Sequence, residues 1–280
     1  MSLTRRETFG AALSMALPGT AHASSRRVVS LNPCLDTILV HVADRAQIAA
    51  LSHYARDPHG STIAEIAATL PFTYESAEEI IGLAPDLVLA SQHSAVATRN
   101  ALARLNIEVA TFGVPNTVAD SLAQIRDVAR RVGRPERGAA LTARIEAALA
   151  ASAPPSGHRP IRALVFQARG LAAGEGTLVD EMMRRTGFLN VAARYGIHFW
   201  GNVQLERLLA DPPDLLLTGP PQPGATTWSE RLMSHPALAR IGPRMRRAVF
   251  PEASLYCGGP VLLQTAAALV QARTDYWSAT

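Results

Sequence analysis

Lysine is absent from this sequence, and arginine supplies all 27 basic side chains. Against 23 acidic residues they leave a net charge of only +4. The doublets Arg130-Arg131, Arg184-Arg185 and Arg246-Arg247 are scattered rather than run together. That distribution speaks against a nucleic-acid surface and for solvated faces. Aromatic residues make up only 5 % of the chain, and there are two cysteines, too few for a disulfide scaffold. No run of about 18 apolar residues exists, which excludes a helical membrane span. Catalytic signatures are missing too. There is no G-x-S-x-G, no H-E-x-x-H and no phosphate-cradling Gly-Lys-Ser/Thr loop, and Gly174-Glu175-Gly176 lacks the third glycine of a dinucleotide fingerprint. An enzyme is therefore not expected. What is abundant is apolar character, 48 % of 280 residues, enough for one large or two modest folded units.

The N-terminus reads as a targeting segment rather than as part of the fold. "MSLTRRETFG" is a positive n-region, "AALSMALPG" a short apolar core broken by Pro18, and "AHA" at 21–23 an A-x-A cleavage signal. Residues 1–23 are accordingly expected to be a removed signal peptide. Arg5-Arg6 suggests twin-arginine export, although Phe9 sits one place late for that motif, and general secretion stays open. No cysteine lies near the cleavage site, so no lipid anchor is expected. The expectation is a soluble, monomeric, periplasmic protein.

From Arg26 the chain alternates strand and helix. "RRVVSLNP" is a strand ended by Asn-Pro, "LDTILVHVA" a helix, "IAALS" a strand, "ESAEEIIGLAP" a helix stopping before Pro85, "DLVLAS" a buried strand, "VATRNALARLN" a helix and "IEVATFG" a strand. Residues 117–153 are then helical, with Thr117 and Asp120 as a capping pattern and Gly133 and Pro135 separating two helices. After "APPSGHRP" the alternation restarts with "IRALVFQARG", "GTLVDEMMRRTG", "RRAVFP" and a closing helix. The predicted organisation is an N-terminal α/β lobe over 24–116, a helical segment over 117–153 and a C-terminal α/β lobe over 154–280. The fold class is thus two Rossmann-like lobes with mostly parallel sheets, joined by one long helix, with a ligand cleft between them.

One sentence of the sequence occurs twice. "AEEIIGLAPDLVLAS" and "LERLLADPPDLLLTG" align Glu78 with Glu206, Pro85 with Pro213 and Asp86 with Asp214. A helix, a Pro-Asp turn and a strand at corresponding places indicate two pseudo-symmetric lobes. Ordinary reuse of a common α/β unit is the competing reading.

In parallel α/β folds ligands sit at the carboxyl ends of the strands. The loops there are "LNPC" with Asn32, "SHYARD" with Tyr54, "SQHS" with Gln92 and His93, "QARG", "IHFWG" with Phe199 and Trp200, and "SLYCGG" with Tyr256. They hold a large share of a scarce residue class, which suits stacking on a flat, partly apolar ligand. His53, His93 and His198 are candidates for contact with a metal or ligand. Cys34 and Cys257 each precede or open a helix on the cleft rim. A disulfide tying the lobes, soft ligands to a metal, and two unrelated thiols are all open.

The segments "RRVVSLNPCLDTIL", "IAALSHYARDP", "SAEEIIGLAPDLVLAS", "GEGTLVDEMMRRTGFLNVA" and "VQLERLLADPPDLLLTG" resemble, in order and spacing, the class III periplasmic binding proteins that serve ABC importers for cobalamin, ferric siderophores and haem. The resemblance implies two lobes on one stiff helix and no intrinsic cofactor. It also implies a small metal-chelate ligand, and a permease dimer with its ATPase subunits as partner. By position Glu78 and Glu206 would dock onto the permease. "HFWG" and Tyr54 match cleft segments of cobalamin binders and favour a cobalt corrinoid. Arg56 and Arg169 would suit an anionic ferric chelate instead. Cysteine after "SLNP" departs from the family pattern. The rivals are a free-metal-ion binder and a chelatase-like enzyme.

Overall fold

The computed structural model describes residues 26–167, 170–219 and 244–278. The expected signal peptide and Arg169 lie outside the described residues. Two parallel sheets organise the rest. The first runs β3 (Phe72–Thr73), β2 (Ile48–Ser52), β1 (Val28–Ser30), β4 (Leu87–Ser91), β5 (Glu108–Phe112). The second runs β11 (Arg246–Val249), β10 (Leu215–Thr218), β6 (Ile161–Val165), β8 (Phe188–Asn190). A separate antiparallel pair joins β7 (Leu171–Ala173) to β9 (Trp200–Asn202). Central strands are apolar throughout because both faces are covered: every residue of β2 and of β4 is buried. The outer strands β5 and β11 alternate with exposed positions and carry the charges Glu108, Arg246 and Arg247, as a solvent-facing edge requires.

Nine helices are found among the described residues: α1 (Pro33–Val42), α2 (Ala64–Ala67), α3 (Ala77–Gly82), α4 (Val96–Arg104), α5 (Val118–Arg131), α6 (Pro135–Ala151), α7 (Leu178–Arg185), α8 (Leu205–Ala210) and α9 (Val261–Ser278). Helices α5 and α7 begin as their sequences indicate. The hydroxyls of Thr117 and Thr177 accept from the N–H groups of Asp120 and Asp180 at 3.0 and 3.2 Å. None of the described helices is long and apolar enough to cross a membrane.

The repeated sequence has a mechanical role in both lobes. The Asp86 carboxylate accepts the backbone N–H of Arg27 at 2.7 Å, and the Asp86 N–H donates to the Arg27 carbonyl at 2.9 Å. In the second lobe Asp214 does the same to Arg162, at 3.3 and 2.9 Å. Proline stops the helix, and the following aspartate clasps the neighbouring strand where the new strand starts. Each clasp sets the register of β4 on β1 or of β10 on β6. The equivalence extends further: β2-β1-β4-β5 and β8-β6-β10-β11 have the same order.

Helices α5 and α6 pack on each other and on α1 of the first lobe, while α6 and α7 pack on α9 of the second. The principal apolar core consequently runs unbroken from Val28 and Leu39 through Ile125 and Ile145 to Val165, Met182 and Leu269. The opposite face of each sheet has its own smaller core, around Val88 and Ile80 in one lobe and Phe166 and Leu216 in the other. Among the described residues one arginine is buried. Arg273 on α9 is only 6 % exposed, and its Nη1 donates to the carbonyls of Ser152 at 2.9 Å and Thr186 at 2.7 Å. These are the C-cap residues of α6 and α7, so one guanidinium closes two helix ends at once.

Candidate functional site

Strand order reverses between β1 and β4, and again between β6 and β10, so each lobe opens a crevice at the carboxyl ends of those strands. The first lobe presents an aromatic patch there. The His53 ring lies 3.8 Å from that of Tyr54 and 5.1 Å from that of Tyr74, and Phe72 meets Tyr74 edge-on at 5.4 Å. Tyr54 and Tyr74 are 54 % and 66 % exposed, high values for large aromatic side chains. The second lobe offers Phe199, Trp200 and Tyr256, all exposed, with Trp200 and Tyr256 stacked at 6.2 Å and 29°. Burial, the nearby Glu252 charge and a hydrogen bond to that carboxylate raise the Tyr256 pKa, keeping the phenol neutral.

A covalent bond links the two lobes beside this site. Cys34, in the first turn of α1, is disulfide-bonded to Cys257, with Cα atoms 5.0 Å apart. The segment after Cys257 is seated closely on the first lobe. The Gly259 N–H donates to Ser121 Oγ of α5 at 2.6 Å, and a Cβ on Gly258 would approach that oxygen to 2.5 Å. Gly259 has φ +66 and lies against Ile38 of α1, so a side chain there would be both strained and blocked.

Several predicted contact residues have work within the fold. Asn32 caps α1: its Oδ1 accepts from the N–H groups of Cys34 and Leu35 at 3.0 and 3.2 Å. Arg56 was expected to face an anionic chelate. Instead its Nε and Nη2 donate to the carbonyls of Ala67 and Leu70 at 3.3 and 2.6 Å, and its guanidinium covers the Phe72 ring at 4.0 Å. The carbonyls at and just after the end of α2 need donors, and Arg56 supplies them at Ala67 and Leu70 while Arg45 donates to the Thr69 carbonyl between them. Gln92 and His93 are exposed after β4, with side chains 3.1 Å apart. His198 is exposed beside Phe199. Glu78 and Glu206 are both exposed in the first turns of α3 and α8, the helices that lead into the two Pro-Asp clasps.

Sequence reasoning missed Phe72 and Tyr74. The alternation in "PFTYE" was the available signal, but a two-residue strand is too short to show a period. It also missed Asp36, a first-turn acid of α1 that is fully buried. Asp36 Oδ2 accepts the Ser52 hydroxyl at 2.5 Å, and burial pushes its pKa up to about 7 against those hydrogen bonds. Among the described residues no three His, Cys, Asp or Glu side chains are grouped to hold a metal ion. The candidate site is a group of exposed aromatic side chains on each lobe.

A family model described as "Periplasmic binding protein" matches residues 28–243. The chain belongs to that family. The sequence of this binding protein is 25 % identical over 205 residues to a cobalamin-binding protein of Halobacterium salinarum, covering 71 % of this chain and 55 % of the relative. The match thus spans about half the length of that relative. Among solved structures, the periplasmic heme-binding protein RhuT from Roseiflexus sp. RS-1, in apo form, has a TM-score of 0.74 and 28 % identity, covering 90 % of this chain and 99 % of that one. The periplasmic heme-binding protein BhuT, solved with two hemes, has a TM-score of 0.73 and 24 % identity, covering 90 % and 98 %. Two α/β lobes of mostly parallel sheets are common to this fold.

Proposed function

We propose that this binding protein captures a planar metal chelate of the tetrapyrrole class, a cobalt corrinoid in the first instance, and delivers it to an ABC importer. It acts as a periplasmic receptor rather than as an enzyme. The observation that carries the reading is the concentration of exposed aromatic rings at the strand ends of both lobes, in a chain with few aromatics. Tyr54 and Tyr74 in one lobe and Trp200 and Tyr256 in the other are suited to stack on a large flat ligand. The cobalamin-binding relative supports a corrinoid. Haem is the second reading, favoured by the heme-binding structural neighbours and by the phenol and imidazole groups of the first-lobe patch. Titration with cobalamin, cobinamide and haem, followed by tryptophan fluorescence, tests it. One class is expected to quench saturably, and Trp200→Ala to remove most of the quenching and weaken binding about tenfold, the scale of one lost stacking contact. A chain that responds to none of these ligands would refute the proposal.

Delivery would rest on Glu78 and Glu206. They carry the same charge at corresponding places in pseudo-equivalent lobes, which suits a partner with two equivalent basic patches. The double substitution Glu78→Arg, Glu206→Arg is expected to abolish uptake in a transport assay while leaving the ligand affinity within about twofold. Unimpaired uptake by the double variant would remove these glutamates from the docking role.

A further inference from the structure

The segment that bears Tyr256 is anchored at both ends and lightly held between them. On one side the Leu255 N–H donates to the Glu252 carbonyl at 2.9 Å, and the Ser254 carbonyl accepts the Thr265 hydroxyl of α9 at 3.1 Å. On the other the Gly259 N–H donates to Ser121 Oγ of α5 at 2.6 Å. Among the described residues, no N–H or carbonyl of Tyr256, Cys257 or Gly258 is paired with another backbone group. The ring of Tyr256 meets its own lobe, at Trp200 and Glu252. The tie that fixes this short span against the first lobe is therefore the disulfide to Cys34.

The bridge can also be reached from solvent. Cys34 and Cys257 are both partly exposed, and Tyr256 beside them is 49 % exposed, whereas the neighbouring Leu35 and Gly258 are buried. Access of this kind is what a thiol needs to attack a disulfide sulfur. The two sulfurs are not equivalent as leaving groups. Cys34 lies in the first turn of the ten-residue α1, where its N–H and that of Leu35 donate to Asn32 Oδ1. A thiolate is favoured at a helix N-terminus, and a favoured thiolate leaves faster. Asp36 in the same turn is committed elsewhere, because its carboxylate takes the Ser52 N–H at 3.3 Å and the Ser52 hydroxyl at 2.5 Å.

We propose that the Cys34–Cys257 bridge is a redox latch on the cleft, opened by a dithiol, and that opening it loosens the hold on the ligand. The inference rests on the function proposed above and adds to it a means of release. One thiolate of the dithiol attacks Cys257 Sγ, the S–S bond breaks, and Cys34 departs as a thiolate that takes up a proton. The second thiol of the reductant, losing its proton, attacks the mixed disulfide and frees the Cys257 sulfur, which is protonated in turn. Two electrons and two protons pass to the bridge, and the dithiol ends as a disulfide. The freed span then moves between its anchors at Leu255 and Gly259, and the stack of Tyr256 on Trp200 loses its fixed backbone. One of the faces proposed to hold the ligand is lost, while the Gly259 contact with Ser121 remains. A disulfide stabilises chiefly by constraining the unfolded chain, so the reduced protein keeps its fold below its transition.

The test compares the oxidised protein, the protein reduced with dithiothreitol, and Cys34→Ser with Cys257→Ser. The reductant is removed under nitrogen before titration, so that the chelates are not themselves reduced. Each form is checked by circular dichroism and titrated with cobinamide and with haem. Reduction is expected to weaken the accepted ligand about tenfold, the scale of one lost stacking contact, and reoxidation to restore the affinity. The serine variant should match the reduced protein and stay unchanged through the cycle. A second readout needs no ligand: reduction should shift the tryptophan emission of the wild type and leave that of Trp200→Phe in place. Equal affinity in the two redox states, the absence of a Trp200-dependent shift, a bridge that resists dithiothreitol in the folded protein, or loss of the fold on reduction would each overturn the latch while leaving the receptor function standing. Oxidised protein that binds neither probe would overturn that function and the release with it.

Discussion

Arg273→Ala is expected to cost about 3–5 kcal/mol of stability, because two helix-ending carbonyls lose a charged donor in a place water does not reach. The Ser152 and Thr186 carbonyls share the Nη1 of one buried guanidinium, and Arg273 also covers the Trp277 ring at 5.3 Å. Thermal denaturation followed by circular dichroism should show a midpoint lower by roughly 10 °C. Arg273→Met separates packing from hydrogen bonding. It keeps an unbranched apolar stem, so a loss nearly as large as that of alanine would locate the effect in the orphaned carbonyls. A loss below about 1 kcal/mol in both variants would mean that solvent replaces the guanidinium at these helix ends.

Removal of the disulfide should be comparably damaging. Cys34 and Cys257 are separated by 223 positions in sequence. Closing so long a loop in the unfolded chain is worth about 5 kcal/mol on chain-entropy grounds. Cys34→Ser with Cys257→Ser is expected to lower the denaturant midpoint, with a steeper dependence on denaturant concentration because the unbridged chain exposes more surface on unfolding. The pairing itself is checked by thiol titration. The oxidised protein, denatured without reductant, should present no reactive thiol, and two after reduction. Two thiols before reduction would show that the bond does not form. Because the bridge also seats the segment holding Tyr256, the serine variant should bind its ligand more weakly even under conditions where it remains folded.

Most of the architecture is legible in the sequence because it is written in features with a long period or a fixed punctuation. The buried runs of β1, β4 and β10, the threonine caps of α5 and α7, and the stop at Gly133 and Pro135 all rest on local chemistry. The Pro-Asp repeat shows at sequence level that two lobes correspond, although only the fold reveals that each aspartate clasps the adjacent strand. Strands β3, β7, β8 and β9 were not legible: they are two or three residues long and, unlike the equally short β1, stand in no β-branched run closed by Asn-Pro. The site was legible where an aromatic stood in a recognisable loop, as with Tyr54, Trp200 and Tyr256. It was obscure where a residue's meaning is tertiary. Arg56 looks like a free cation until the α2 carbonyls are placed beside it, and Asp36 and Arg273 look like solvent-facing charges on helices until their surroundings are known.

The bridge between Cys34 and Cys257 also changes what kind of object the oxidised polypeptide is. Covalently it is a closed ring with two short tails, and the ring contains most of both sheets, both helices of the inter-lobe pair and the loops of the cleft. A ring tolerates one break. A single backbone cut anywhere between the two cysteines linearises the molecule without releasing a fragment, and both lobes stay tethered on either side of the nick. Separating them takes a second event, either another cut or an electron donor. For a receptor placed as proposed above, that makes a first nick survivable and ties loss of integrity to the redox state of its surroundings.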